Sequence, residues 1–226
     1  MPNTMVEFHA NGGTGRGYLS MPKQGRGAGV VVLQERWGLV DHIKTVADRF
    51  AAEGFVALAP DLYEGESTKS ADQAEKMLMA LNISKTASAL RGAAEFLYAS
   101  DAVQPKKVGV VGFCMGGQLA LFAGCEYPDL FSAVVDFYGI HPKVQPRLER
   151  LRGPLLAHFG VHDESVPPDE ANALVKRLED AGKRVEAHFY DATHAFFNDD
   201  RPEVYSAENA ALAWERTIGF LRSELA

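Results

Sequence analysis

Short, almost wholly apolar runs recur along the chain, each stopped by glycine, proline or polar residues. Gly29-Val30-Val31-Val32-Leu33 is one, and Phe55-Val56-Ala57-Leu58-Ala59, halted by Pro60, is another. Lys107 to Gly112, Ala133 to Phe137 and Pro154 to Phe159 repeat the pattern. Runs of this length with no polar alternation read as strands buried on both faces. Between them the apolar spacing changes to that of helices. Val40, Ile43, Val46, Ala47 and Phe50 share one face over 40–53, which Gly54 closes. Helical spacing also covers 70–81 and 85–99, with Ser70 and Ser84 as caps. It returns over 114–126, over 168–181 up to Gly182, and over 203–224. A last strand spans Arg184 to Tyr190. At the start, Val6 to His9 alternates, Asn11-Gly12-Gly13 turns and Gly15 to Leu19 returns as a hairpin. Residues 61–69 form a polar loop.

Strands alternating with helices imply an α/β fold: a mostly parallel central sheet flanked by helices on both faces. The 226 residues suit one such domain over 1–226, with no repeat, linker or low-complexity tract. The net charge of −7 carries no basic footprint, so nucleic acid is not an expected partner. No apolar stretch approaches the roughly 20 residues of a membrane span, and no leader pattern opens the chain. A cytoplasmic protein, monomer or homodimer, is the expectation. There are two cysteines. On one helix, Cys114 and Cys125 would lie about 16 Å apart along the axis, too far for a disulfide. Both are expected to be free thiols.

The chemistry concentrates at Gly112-Phe113-Cys114-Met115-Gly116-Gly117, where a strand runs in and a helix runs out. G-x-C-x-G-G is a nucleophile elbow with cysteine in place of the commoner serine. The nucleophile must stand on a sharp, strained turn, so Gly112 and Gly116 are needed beside it. The helix N-terminus favours a thiolate, and the Met115 N–H can face a developing oxyanion. The plainer alternative is a glycine-rich turn holding a buried, inert cysteine.

Two further loops follow strands. Asp163 lies in Gly160-Val161-His162-Asp163-Glu164, and His194 in Asp191-Ala192-Thr193-His194-Ala195-Phe196. Cys114, Asp163, His194 is the nucleophile–acid–base order of the α/β-hydrolase fold. His194 would move the thiol proton, Asp163 would hold the imidazole, and the rate would rise as His194 loses its proton. Glu164 is a rival acid; His158, His162 and His188 are rival bases. The four histidines match no zinc spacing, and no metal or other cofactor is expected.

Together these segments carry a resemblance to the dienelactone hydrolase family, the carboxymethylenebutenolidases. The matching residues are Val32-Leu33-Gln34-Glu35-Arg36-Trp37-Gly38, Ala59-Pro60-Asp61-Leu62-Tyr63, the Cys114 elbow, the Asp163 loop and Thr193-His194-Ala195-Phe196. The resemblance implies that Glu35 hydrogen-bonds the resting thiol and keeps it from ionising. It implies that the Arg36 N–H is a second oxyanion donor and that Trp37, Phe196 and the Arg36 side chain contact substrate. Two arginines bind the substrate carboxylate in that family. Here Asn198 stands at one position and Ala71 near the other, with Arg36, Arg201 and Arg91 as possible replacements.

The expected activity is therefore hydrolysis of small-molecule lactones or activated esters through a thioacyl-enzyme. A broad carboxylesterase acting on neutral esters is the nearest alternative. A peroxide-reactive thiol protein and a non-catalytic binding protein lie further off; no second cysteine is placed to resolve a sulfenic acid.

Overall fold

The computed structural model describes residues 3–10, 13–139 and 143–226. The predicted turn at Asn11-Gly12 lies outside them. The elements run β1 (Thr4–Ala10), β2 (Gly13–Ser20), β3 (Gly27–Leu33), α1 (Asp41–Ala52), β4 (Val56–Pro60), α2 (Ala71–Ala80) and α3 (Ile83–Ala99). They continue with β5 (Val103–Phe113), α4 (Met115–Glu126), β6 (Ala133–Phe137), β7 (Leu155–Gly160), α5 (Pro168–Asp180), β8 (Val185–Tyr190) and α6 (Ala207–Leu225). One sheet has the order β1-β2-β4-β3-β5-β6-β7-β8. Its first three strands pair antiparallel and the rest parallel.

The apolar runs divide their side chains between two cores, because alternate strand residues face opposite sides. Val31 and Leu33 pack with Leu90 and Leu97 of α3, Leu119 of α4 and Leu178 of α5. Val30 and Val32 pack with Ile43 and Phe50 of α1 and Ile218 and Leu221 of α6. All four β3 side chains are fully buried, which stabilises the fold by about 1.5–3 kcal/mol each. This two-sided burial is why the strands read as continuous apolar runs, and it puts helices on both faces as expected. No helix among the described residues is long and apolar enough to cross a membrane.

Several boundaries differ from the periodicity. Helix α3 starts at Ile83, not at Lys85, because Asn82 Oδ1 accepts the Lys85 N–H at 3.0 Å; Asn82, not Ser84, is the cap. Helix α6 starts at Ala207 rather than 203: the Ser206 N–H is drawn to Phe196 O at 3.0 Å, which holds the preceding residues in turns. Gly182 closes α5 as predicted, at φ +69°, with the Lys183 N–H returning to Leu178 O.

The 61–69 loop is held at both ends. Asp61 accepts the N–H groups of Tyr63 and Gly65, and Gln34 Oε1 accepts that of Leu62. Further on, Ser67 bridges to Gly38, and the Thr68 N–H reaches Trp37 O at 3.0 Å. The carboxyl ends of β3, β5, β6, β7 and β8 open onto one edge of the sheet, where the segments containing Glu35, Cys114, Tyr138, Asp163 and His194 begin.

Candidate active site

Cys114 is the single residue between β5 and α4, and its backbone sits at φ 54°, ψ −121°. Only a tightly built turn keeps a non-glycine residue there. Its N–H donates to Phe137 O at 2.9 Å, and its own carbonyl accepts the Gly117 N–H at 2.9 Å. A Cβ on Gly112 would come within 1.8 Å of Gly116 O, and one on Gly116 within 2.6 Å of Gln34 O. The two glycines therefore let the turn close and press it against the end of β3, beside Glu35. Cys114 is half-buried, whereas Cys125 is buried in α4; both are free thiols.

His194 Nδ1 lies 2.8 Å from Asp163 Oδ2. Asp163 has no exposed side-chain surface, while His194 keeps 20%. The other oxygen, Asp163 Oδ1, accepts the N–H groups of Ser165 and Val166, each at 2.8 Å. That turn fixes the carboxylate and therefore the imidazole plane. Burial alone would lower the His194 pKa. Hydrogen bonds to Asp163 and Cys114, and the negative charges of both, outweigh it and push the group up to about 10. The structure thus brings Cys114, Asp163 and His194 together.

The rival groups lie elsewhere. His162 pairs with Asp191 at the surface, and His188 with Glu186. Glu164 is exposed. His158 is enclosed, with Nδ1 2.8 Å from Tyr190 Oη and Nε2 3.0 Å from Thr217 Oγ1. Burial, then the charges of His188 and Arg216, hold its pKa well below the usual histidine range. Among the described residues, the one group with metal-ligand spacing is His42, Asp199 and Asp200, none of them among the four histidines considered from sequence. His42 and Asp199 already pair at 2.9 Å.

Glu35 is 2% exposed. Its Oε2 accepts the Asn198 amide at 2.5 Å, and its Oε1 has no hydrogen-bond partner among the described residues. Arg36 reaches Glu75 at 3.4 Å and stacks on Trp37, with its guanidinium carbon 4.9 Å from the ring centroid. Arg201 approaches the same ring at 5.4 Å while pairing with Glu203. Arg91 is paired with Glu95 on the surface of α3. Ala71 is exposed at the start of α2. Phe196 is fully buried, with its ring against Tyr190 and Tyr138. Met115 opens α4, and its sulfur accepts the Tyr63 hydroxyl at 3.2 Å.

Two residues of this cluster gave little sign in the sequence. Asn198 attracted notice only as the place of a missing arginine. Tyr138 follows β6 directly and is wholly buried against His194, at 5.1 Å between ring centroids. An aromatic residue one step past an apolar strand, followed by glycine, was the available signal.

The dienelactone hydrolase family model matches residues 16–225. The chain is 39% identical to the protein usf of Aquifex pyrophilus over 98% of both chains. It is 32% identical to the carboxymethylenebutenolidase of Pseudomonas sp. strain P51, over 93% of this chain and 91% of that one. A solved dienelactone hydrolase-like promiscuous phosphotriesterase from metagenomic libraries superimposes with a TM-score of 0.86. That structure is 22% identical, with 100% of this chain and 99% of that chain covered, and it shares the α/β fold described above.

Proposed function

The chain belongs to the dienelactone hydrolase family and is a hydrolase of lactone or ester bonds; from that premise we propose that Cys114 is its nucleophile and that turnover passes through a thioacyl-enzyme. The observation that carries this reading is His194, held by Asp163 on one nitrogen and interacting with Cys114. The Cys114 sulfur adds to the substrate carbonyl while His194 carries its proton. The oxygen gains charge beside the first N–H groups of α4, with Met115 and Arg36 as donors. The carbonyl re-forms, the ring C–O bond breaks, and His194 gives its proton to the departing oxygen. Water then loses a proton to His194 and attacks the thioester, releasing the acid and the Cys114 thiol.

Glu35 lies two residues past β3, next to Gln34, whose carbonyl the elbow residue Gly116 approaches closely. A buried carboxylate there weighs against a neighbouring thiolate and moderates the resting sulfur. Trp37, with Arg36 and Arg201 on its ring, supports a lactone that carries a carboxylate. The neutral-ester reading has its own support, because Asn198 is turned inward on Glu35 and offers its amide to the protein.

The test is acid-quenched mass spectrometry during turnover of dienelactone and of a neutral aryl ester. An acyl mass on the Cys114 peptide is expected, with turnover falling at least about 10³-fold in Cys114→Ala. Undiminished turnover in that variant would overturn the nucleophile. Faster cleavage of the neutral ester would select the esterase reading.

A further inference from the structure

Strand β8 ends the sheet, and its outer edge is open. The bonds at its two ends fix which residues face that edge. Leu155 donates its N–H to Arg184 O at 2.9 Å, and Val161 donates its own to Tyr190 O at 2.8 Å. Between them β7 and β8 run in unbroken parallel register, from Leu155 with Val185 to Gly160 with Tyr190. Alternate residues of a parallel ladder bond inward, so Arg184, Glu186, His188 and Tyr190 turn their backbone groups to β7. Val185, Ala187 and Phe189 turn their N–H and C=O groups outward, and among the described residues no group outside the strand bonds them.

Monomeric proteins commonly blunt such an edge with proline, lysine, a bulge or a covering segment. Residues 185–190 contain no proline and no lysine, and their register has no bulge. Apolar surface lies beside the edge: Phe189 is 37% exposed and Val161 41%.

The order of side chains along β8 says what this edge fits. With a second copy laid antiparallel against it and Ala187 on the two-fold axis, the outward residues meet one another, Ala187 with Ala187 and Val185 with Phe189. That closes about six backbone hydrogen bonds, two for each opposed pair. The same register puts Lys183 opposite Asp191 and Glu186 opposite His188. Glu186 and His188 already pair at 2.7 Å within the chain. Across the axis they form a square in which each acid has an imidazole on both sides. A slip of two residues is the smallest that keeps the outward groups opposed. It sets Glu186 against Glu186 in one direction and His188 against His188 in the other, and like groups directly opposite are unfavourable.

We propose that two copies of this chain join through β8, antiparallel about Ala187, and double the eight-stranded sheet into one continuous sheet. Because the strands run in opposite directions across the axis, the two active sites open on opposite edges and both stay accessible. The interface does not depend on which residue is the nucleophile.

Sedimentation velocity of the full chain over a micromolar concentration series is the test, and wild type is expected to reach twice the chain mass. Ala187→Pro removes an outward N–H that the single chain does not use. Glu186→Lys sets two cations against His188, one on each side of the axis, and His188→Glu does the converse with acids. Each variant is expected to raise the dimer Kd at least about tenfold, with an unchanged circular dichroism spectrum. Mixing Glu186→Lys with His188→Glu restores opposite charges on both sides of the axis. The mixture should therefore recover dimers that neither protein forms alone. A wild type that stays monomeric throughout the series overturns the proposal. So does a dimer that survives all three substitutions, or a mixture that fails to recover one.

Discussion

Asn198 donates its side-chain amide to Glu35 at 2.5 Å, and each of the two residues is only 2% exposed. The bond joins the turn after His194 to the segment that follows β3. The same turn is anchored by the Asn198 N–H on Ala195 O and by the Asp200 N–H on Asn198 Oδ1. Asn198→Ala would leave Glu35 Oε2 buried without its donor. A loss of about 1–3 kcal/mol in urea unfolding is expected, together with faster alkylation of Cys114. A variant as stable as wild type would show that Glu35 has another donor in solution.

His194 carries a pH dependence whose sign follows from its partners. Burial opposes the imidazolium, but Asp163 and Cys114 outweigh it and raise the folded-state pKa to about 10, against roughly 6.5 in an unfolded chain. The stabilising contribution is then complete below about pH 6.5 and is lost as pH rises through 10. Unfolding free energy should fall across that window in wild type and fall less in Asp163→Asn, where the main anchor is removed. Nitrogen-detected NMR should find the His194 imidazole still protonated at pH 8. The rate is then expected to rise across the high pH range in which His194 gives up its proton. Equal pH slopes in the two proteins would refute the assignment of the shift.

The two thiols should separate cleanly in a titration. Burial, then the charge of Glu149, pushes Cys125 up to about 12, so it stays a protonated, enclosed thiol at working pH. Cys114 is half-exposed at the elbow. A disulfide reagent at pH 8 should consume one thiol per folded chain and the second only in denaturant. Two fast thiols would mean that α4 opens. A disulfide formed between the two on mild oxidation would revive the redox reading.

The fold was legible because the inner parallel strands β3, β4, β6 and β7 are buried on both faces, and unbroken apolar runs such as Gly29 to Leu33 are the direct imprint of that burial. The elbow was legible for a steric reason: at Gly112 and Gly116 a side chain would strike backbone, so the sequence has no other choice there. Boundaries were less legible, because a competition between nearby caps decides them; Asn82, two residues before Ser84, captures the Lys85 N–H. Asn198 and Tyr138 were hidden for a different reason. What they do depends on partners far along the chain, Glu35 for one and the Cys114–His194 pair for the other. No local pattern of hydrophobicity or spacing encodes such a meeting.

The substrate's charge is the property that the Trp37 cluster should decide. Arg36 and Arg201 come from segments distant in sequence, yet both place a guanidinium on the same indole, at 4.9 and 5.4 Å. Each is also paired with one carboxylate, Glu75 or Glu203, and both arginines are partly exposed. A guanidinium has five donors, so one such pairing leaves several for a ligand carboxylate. Stacking on Trp37 limits how far each side chain wanders, which reduces the ordering cost when an anion arrives. Arg201→Ala should therefore raise KM for a carboxylate-bearing lactone about tenfold, equivalent to about 1.4 kcal/mol, with kcat nearly unchanged. KM for a neutral aryl ester should not move. Because Arg201 is separate from Cys114, Asp163 and His194, a fall in kcat on both substrates would mean that the mutation had disturbed the turn carrying Asn198. Equal KM changes for the charged and neutral substrates would remove Arg201 from charge recognition and leave the neutral ester as the better description of what this site accepts.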